Sequence, residues 1–491
     1  MSYPGGGGGG QWPPQNNPYG QQPQQPGGYP QQGYPQQQPQ QGGYPQTGPQ
    51  GFPQQPYGQQ QHQPYGQQQP YGQQFGQQPF GYGEPPKKKR TGVIVTSIIV
   101  VVLLAAGAAG TFWALRSSDS VASGSENPTT AATNLLSALG SGDVIGIMNG
   151  LAPAEAKLSK DYVEATVSEG KRLEIFKKDA DPNKLSGVQI KSEGIKFDEA
   201  AAEKVNDHLT INKVVEGKIT VTSDVKQIPL TEKLTKALGA KLDAAPETDT
   251  LDFAEQKDKR KGKPIGIATI KVDGEWYPSL FYTIANAALE DEDLKWPAQG
   301  IAPAGAGSAG DAAKQLVTAA LDGDVKKVIS LLPPDEMGVL QDVGPVLLDQ
   351  MGRVGSTGAK LVELETDTKD VTGGVLVTVK KVVVQVQGET VEVTRSGDCY
   401  TAKADGQTQK LCADEIAQLV EQQGGRDVPA AAIDVIARVG AQVLKDGIGV
   451  VTTEVDGKWY VSPFRTYSEV VLTLLRGLQP KDIDELLKLA K

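Results

Sequence analysis

The sequence predicts an α+β protein: two tandem domains, each with helices on one face of a mostly antiparallel sheet, behind a polar tail and one membrane-spanning helix. Three observations carry that expectation. The phrase VDGEWYPSLFYT at 272–283 returns as VDGKWYVSPFRT at 455–466, a shift of 183 residues. The stretch AATNLLSALGSGDVIGIMNGLAPAE at 131–155 aligns without a gap on AAKQLVTAALDGDVKKVISLLPPDE at 312–336, a shift of 181. Two separated matches at nearly one offset indicate a tandem duplication. Within each copy, apolar residues at helical spacing come first and alternating β-branched runs follow, the order of an α+β domain.

Residues 1–86 are almost wholly Gly, Pro, Gln and Tyr, with PYGQQ-like repeats and Glu84 the only charged residue. So few aliphatic side chains cannot offset the entropy of ordering, so a disordered tail is expected, inert or suited to weak self-association. A basic collar, Lys87-Lys88-Lys89-Arg90, precedes Thr91–Leu115, a run without any ionisable group. As a helix that run spans roughly 35 Å, enough for the hydrocarbon core of a bilayer. It is longer than a signal-peptide core and follows 90 residues, so a retained transmembrane helix at 91–115 is the expectation. Four basic residues before it and Arg116 after it place the N-terminus in the cytoplasm and the C-terminal domains outside. A polar stalk, 116–127, leads to the first copy, 128–296; the linker PAQGIAPAGAGSAG, 297–310, leads to the second, 311–491.

Charge is distributed unevenly. From Ser117 onward, 43 basic residues stand against 57 acidic ones, about −14, and an acidic body argues against a phosphate-tracking nucleic-acid surface.

Each copy reads alike. Leu135, Leu136 and Leu139, or Leu316, Val317 and Ala320, mark a first amphipathic helix. Gly-Asp then breaks it, and Asp143 or Asp324 is placed to cap a second short helix. A third helix is expected near 154–175 and 335–352. Strands follow at 188–197 and 208–226, or 359–366 and 375–395, then a helix at 231–242 (capped by Thr231) or 413–424. The charged stretch EQKDKRKGK, 255–263, reads as a solvated loop. Strands 265–272 and 275–282, or 448–455 and 458–464, close each copy through Asp-Gly, the preferred two-residue hairpin turn. A last helix, 481–490, is expected to dock on its own domain.

On the closing strand Trp276 and Tyr277, like Trp459 and Tyr460, point to opposite faces. An indole beside the turn can seal the end of a helix-on-sheet core, so these four residues are expected to be domain-closing aromatics; lining a ligand pocket is the alternative. The copies differ beside the phrase, with Pro278 and Tyr282 in the first against Val461 and Arg465 in the second. Only the second has cysteines. Cys399 and Cys412 flank the turn signal Ala404-Asp405-Gly406, and an isolated pair outside the membrane reads as a disulfide.

The opening ATNLLSALGSGD (132–143) and the closing VDGKWYVS (455–462) resemble the nuclear transport factor 2-like (NTF2-like) group of α+β cone domains. More narrowly, the layout resembles actinobacterial single-pass membrane proteins with a Pro/Gly/Gln/Tyr-rich tail and tandem NTF2-like extracytoplasmic domains. That group includes enzymes and plain binding modules, so the resemblance leaves activity open. No nucleophile elbow, Walker loop or His-Glu-x-x-His is present, and no cofactor or metal is expected. His208, at a strand start, reads as a surface residue. The expectation is therefore a non-enzymatic protein of the bacterial plasma membrane that binds a protein or small apolar ligand outside the membrane, in envelope assembly or signalling. The alternatives are an isomerase- or hydrolase-like enzyme in one cone, and a scaffold acting through its tail.

Overall fold

Two antiparallel sheets with helices, one sheet curled into a half-barrel, make up an α+β structure. The computed structural model describes residues 123–141, 144–180, 187–243, 245–424 and 429–489. The tail, the collar, the apolar run 91–115, most of the stalk and Asp143 lie outside the described residues. Among the described residues, no helix is long and apolar enough to cross a membrane.

The first copy contains α1 (Pro128–Ser141), α2 (Val144–Asn149), α3 (Pro153–Arg172), β1 (Val188–Lys204), β2 (Leu209–Ser223) and α4 (Glu232–Leu238). It continues through β3 (Glu247–Asp252), α5 (Phe253–Lys259), β4 (Ile265–Val272), β5 (Glu275–Pro278) and α6 (Leu280–Asp291). The second opens with α7 (Ala309–Asp322), α8 (Val325–Ser330), α9 (Pro334–Met351), β6 (Ala359–Val371) and β7 (Gly374–Val386). Then come β8 (Glu389–Ser396), β9 (Cys399–Ala404), β10 (Gln407–Cys412), α10 (Ile416–Gly424) and α11 (Ala430–Asp446). It ends with β11 (Gly449–Val455), β12 (Lys458–Val461), α12 (Pro463–Gly477) and α13 (Pro480–Leu489).

The sheets share one plan. Strand order is β1-β2-β4-β5 with β3 also on β2, and β10-β9-β8-β7-β11-β12 with β6 also on β7. The long second strand divides its partners along its length. Leu209–Val214 pairs with β4 and Lys218–Ser223 with β3, just as the start of β7 pairs with β11 and its end with β8. A strand bonded to different neighbours at its two ends must bend between them, and bulges in β1 and β6 add to the curl. Aspartate and glycine of each closing turn both take positive φ, as a type I′ turn requires (Asp273 50°, Gly274 91°; Asp456 50°, Gly457 71°).

The first helices fill their cores differently. In copy one, Leu135, Leu136 and Leu139 pack on Ile190, Val214 and Phe253. In copy two the buried face is Ala309, Ala312, Ala313 and Ala319, whereas Val317 and Ala320, expected in the core, face outward. Small side chains let α7 lie close to the sheet, and Trp459 supplies the missing volume against Ala306, Ala312 and Val461. Asp324 caps α8 as expected, accepting from the Lys327 amide at 2.9 Å.

Several expectations are corrected. The closing strands stop at Pro278 and Val461, not at 282 and 464, so Phe281 and Phe464 lie on helices α6 and α12. The overlooked signal is Ser279 or Ser462, an N-cap residue, with Pro463 at N1 ahead of a helical apolar pattern. Thr231 does not cap α4 with its side chain; its hydroxyl donates to the Glu174 carbonyl at 2.7 Å. Most of the charged stretch 255–263 is helix α5, capped by Asp252, and Arg260 at its end pairs with Glu290 at 2.8 Å. The span between the cysteines folds as the hairpin β9–β10, and α11 and β3 had not been expected at all. Helix α13 docks through Arg438 to the fully buried Asp482.

Candidate functional site: a cleft between the two copies

The repeated closing phrase can be assigned residue by residue. Trp276 exchanges two backbone hydrogen bonds with Ser125, and Trp459 does the same with Ala306, so in each copy the segment before the first helix is stitched to the closing strand. Tyr277 and Tyr460 are buried over Gly124 and Gly305, where a Cβ would overlap the tyrosine ring. Gly305→Ala is therefore expected to lower stability by about 1–3 kcal/mol through overpacking, read as a fall in the thermal midpoint. A midpoint equal to that of the parent would contradict the packing described here.

Ser279 and Ser462 cap the final helices, accepting from the amides of Tyr282 at 3.2 Å and Arg465 at 3.1 Å. Thr283 and Thr466 lock those helices to the sheet, accepting from the Ala268 and Val451 amides at 2.9 Å each. Each capping serine also donates to a buried glutamate from the third helix of its copy. Ser279 donates to Glu155, and Ser462 to Glu336 at 2.5 Å. Those glutamates are the last residues of the gapless 131–155 and 312–336 alignment.

The two glutamates are completed differently. Glu155 accepts from the Leu280 amide at 2.8 Å and the Phe281 amide at 3.4 Å. Copy two has Pro463 where copy one has Leu280, so that amide is missing, and Arg465 Nε donates to Glu336 at 2.6 Å instead. Burial pushes both carboxyls up; for Glu155, whose donors are Ser279 and the Leu280 and Phe281 amides, the value reaches about 7.

The same positions join the copies. Arg465 also donates to Asp161 of copy one at 3.0 Å. Reciprocally, Tyr282 donates to Asp342 of copy two at 2.8 Å. Tyr282 and Arg465 are equivalent by the offset of 183, and Asp161 and Asp342 by the offset of 181. Between them the equivalent rings of Phe281 and Phe464 meet, centroids 5.2 Å apart. A contact in which residue i of one copy meets j of the other, and j meets i, is isologous, as in a twofold dimer. The covalent tandem thus packs about a pseudo-twofold axis through the phenylalanine pair.

One asymmetry stands out. His208 Nε2 lies 2.7 Å from Asp342 Oδ2, and this hydrogen bond raises the imidazole above its usual range. Strand pairing (Thr210 opposite Thr269, Val375 opposite Thr452) makes Gly373 the counterpart of His208. A Cβ at Gly373 would collide with the Arg465 guanidinium. Copy one thus holds its partner's aspartate with a phenol and an imidazole, whereas copy two uses one guanidinium that occupies the space of both.

Beside this contact lies a cleft of about 1110 Å³, walled by both copies and by the segment 299–303 of the linker. Its apolar wall includes Pro153, Ile270, Phe281, Ile301 and Pro334; its polar groups include Glu155, Asp161, His208, Tyr282, Asp335 and Asp342. Burial, then the neighbouring Asp342, drives the Tyr282 hydroxyl far above its ordinary range, so it stays protonated and donating. Among the described residues, no group of three or more His, Cys, Asp or Glu is placed to hold a metal ion.

His208 and Tyr282 line the cleft, whereas the closing aromatics Trp276, Tyr277, Trp459 and Tyr460 and the two cysteines do not. Cys399 and Cys412 form a disulfide across the β9–β10 hairpin, Cα atoms 4.0 Å apart. Trp276 is half-buried, with Lys271 Nζ 6.0 Å from its ring centroid. Tyr282 and Arg465, noted only as differences between the copies, are among the residues that join them. Asp161 and Asp342 carry no local signature; continuing the gapless alignment six residues past Glu155 and Glu336 would have paired them. No family model, curated protein or solved structure matches this chain.

Proposed function

We propose that this chain is a single-pass protein of the bacterial plasma membrane, its tail cytoplasmic and its two copies, each an NTF2-like domain, outside. In this reading it is non-enzymatic, and the cleft between the copies binds a small apolar ligand or a protein segment in envelope assembly or signalling. The observation that carries it is the cleft: large enough for a drug-sized or lipid-like molecule, apolar-walled, with Asp161, Asp342, Arg465 and Tyr282 occupied in holding the copies together. The resemblance to single-pass proteins, the collar and the uncharged run 91–115 support the topology.

Ala302 is exposed on the cleft wall, so Ala302→Trp should narrow the cleft without unfolding the chain. Native mass spectrometry of the full chain extracted from membranes should show a bound small molecule, and the variant should lose it by about tenfold or more, the effect of losing ~1.4 kcal/mol of binding. Equal loading of both chains would sink the reading.

One observation favours an isomerase- or hydrolase-like enzyme instead. His208, Asp342 and a glutamate with a pKa near 7 share the cleft, and such groups suit general acid–base work. His208→Gln separates the two, since a binding site would keep its ligand whereas an enzyme would lose turnover. A scaffold acting through its tail would show intact partners after deletion of the copies and none after deletion of residues 1–85.

A further inference from the structure

Helix α12 is turned inside out. It buries Arg465, Glu469, Thr473 and Gly477 together with Leu472, while Phe464, Tyr467, Val470 and Leu474 are 41%, 63%, 50% and 40% exposed. The buried polar side chains have partners that draw them inward. Arg465 meets Glu336 and Asp161, Arg476 donates to Glu469 at 2.7 Å, and Thr473 donates to Asp446 at 3.3 Å. The outward residues follow at intervals of three, three and four, so they form one strip along the helix, about 15 Å long. A surface helix ordinarily shows the reverse pattern.

We infer that this strip lies on the outer surface of the lipid bilayer in which the chain is anchored. The inference rests on the anchor reading above and adds what the body does once tethered. The uncharged run ends at Leu115 and the described body begins at residue 123. The seven residues between reach at most about 25 Å, so the body cannot leave the membrane surface. Such a tether holds any lipid-seeking face at high effective concentration but does not choose the face. The strip makes that choice: an aromatic and aliphatic face on a rigid helix suits the boundary between headgroups and acyl chains. Phe464 begins the strip and packs on Phe281, which lines the cleft. An amphiphile leaving the bilayer along α12 therefore meets the cleft without crossing open water.

The two native cysteines are bonded to each other, so an introduced cysteine labels alone. The full chain carrying Val470→Cys, or Lys360→Cys on the exposed face of β6 as reference, would be labelled with a fluorophore. It would then be reconstituted in phosphatidylethanolamine–phosphatidylglycerol vesicles containing nitroxide-labelled lipid. Quenching at 470 is expected to exceed that at 360 by about twofold or more, as for a side chain at the acyl boundary. Equal quenching, or crosslinking of 470 between chains in place of quenching, overturns the inference; crosslinking would mean that a second copy covers the strip. Alkaline extraction of the same vesicles reads the anchor separately. A retained chain with 470 unquenched rejects the strip alone, whereas a released chain rejects the anchor and the tether with it.

Discussion

Replacing Arg465 with methionine is expected to destabilise the folded chain by about 3–5 kcal/mol at neutral pH, the usual cost of removing one member of a buried ion pair. The guanidinium is 7% exposed and holds two carboxylates, Glu336 within its own copy and Asp161 across the interface. Without it Glu336, 2% exposed, is left with the Ser462 hydroxyl as its donor, and its charge is stranded in a dry site. The stranded carboxyl can escape by taking up a proton, so the loss should shrink toward pH 5. Glu336→Gln in the same chain should recover much of it at pH 7, because the cost lies in an unpaired charge. Urea unfolding of the parent, the single and the double variant at both pH values measures this. A loss of less than 1 kcal/mol, or no recovery in the double variant, would mean that Arg465 does not hold the interface.

The second large effect is a pH dependence centred on Glu155. Its folded pKa is about 7 against an ordinary value of 4.5, so the folded state binds this proton more tightly than the unfolded state. The resulting stabilisation is complete below about 4.5 and lost as pH rises through 7, amounting to about 3 kcal/mol. His208 acts with the same sign, since its raised pKa also adds stability that disappears with rising pH. Glu155→Gln keeps an acceptor for the Leu280 amide while removing the charge. The variant should match the parent near pH 5 and exceed it by about 1–3 kcal/mol at pH 8, after some loss in hydrogen-bond geometry. Thermal unfolding from pH 5 to 8 decides it. Parallel curves for parent and variant would show that Glu155 is not the group that titrates.

How much of this was legible beforehand can be argued from particular elements. The α1 helix, the Asp-Gly hairpins and the disulfide are local: periodicity, turn chemistry and cysteine spacing lie within short windows. The helices α6 and α12 were equally local, because Ser279 and Ser462 sit at N-cap positions, yet the β-forming Trp-Tyr pair just before them obscured the change of period. Helix α7 was placed correctly but its buried face was not. Rows of alanine and of Leu-Val-Ala compete on one helix, and only the nearby Trp459 decides which row turns inward. The Glu155–Ser279 bond spans 124 residues, and no window-based reading can pair such positions.

By itself the sequence determined the duplication, the α+β order of each copy and the disulfide, since each depends on residues repeated or adjacent along the chain. It also contained every difference between the copies: Tyr282 against Arg465, Leu280 against Pro463. What those differences do was decided only in three dimensions. The two copies meet about a pseudo-twofold axis, so substitutions at one position of the phrase act on an aspartate of the other copy. The cleft lies beside that same contact. On α12 the polar side chains have their partners on the inner side, and a helical pattern alone does not say which side is inside.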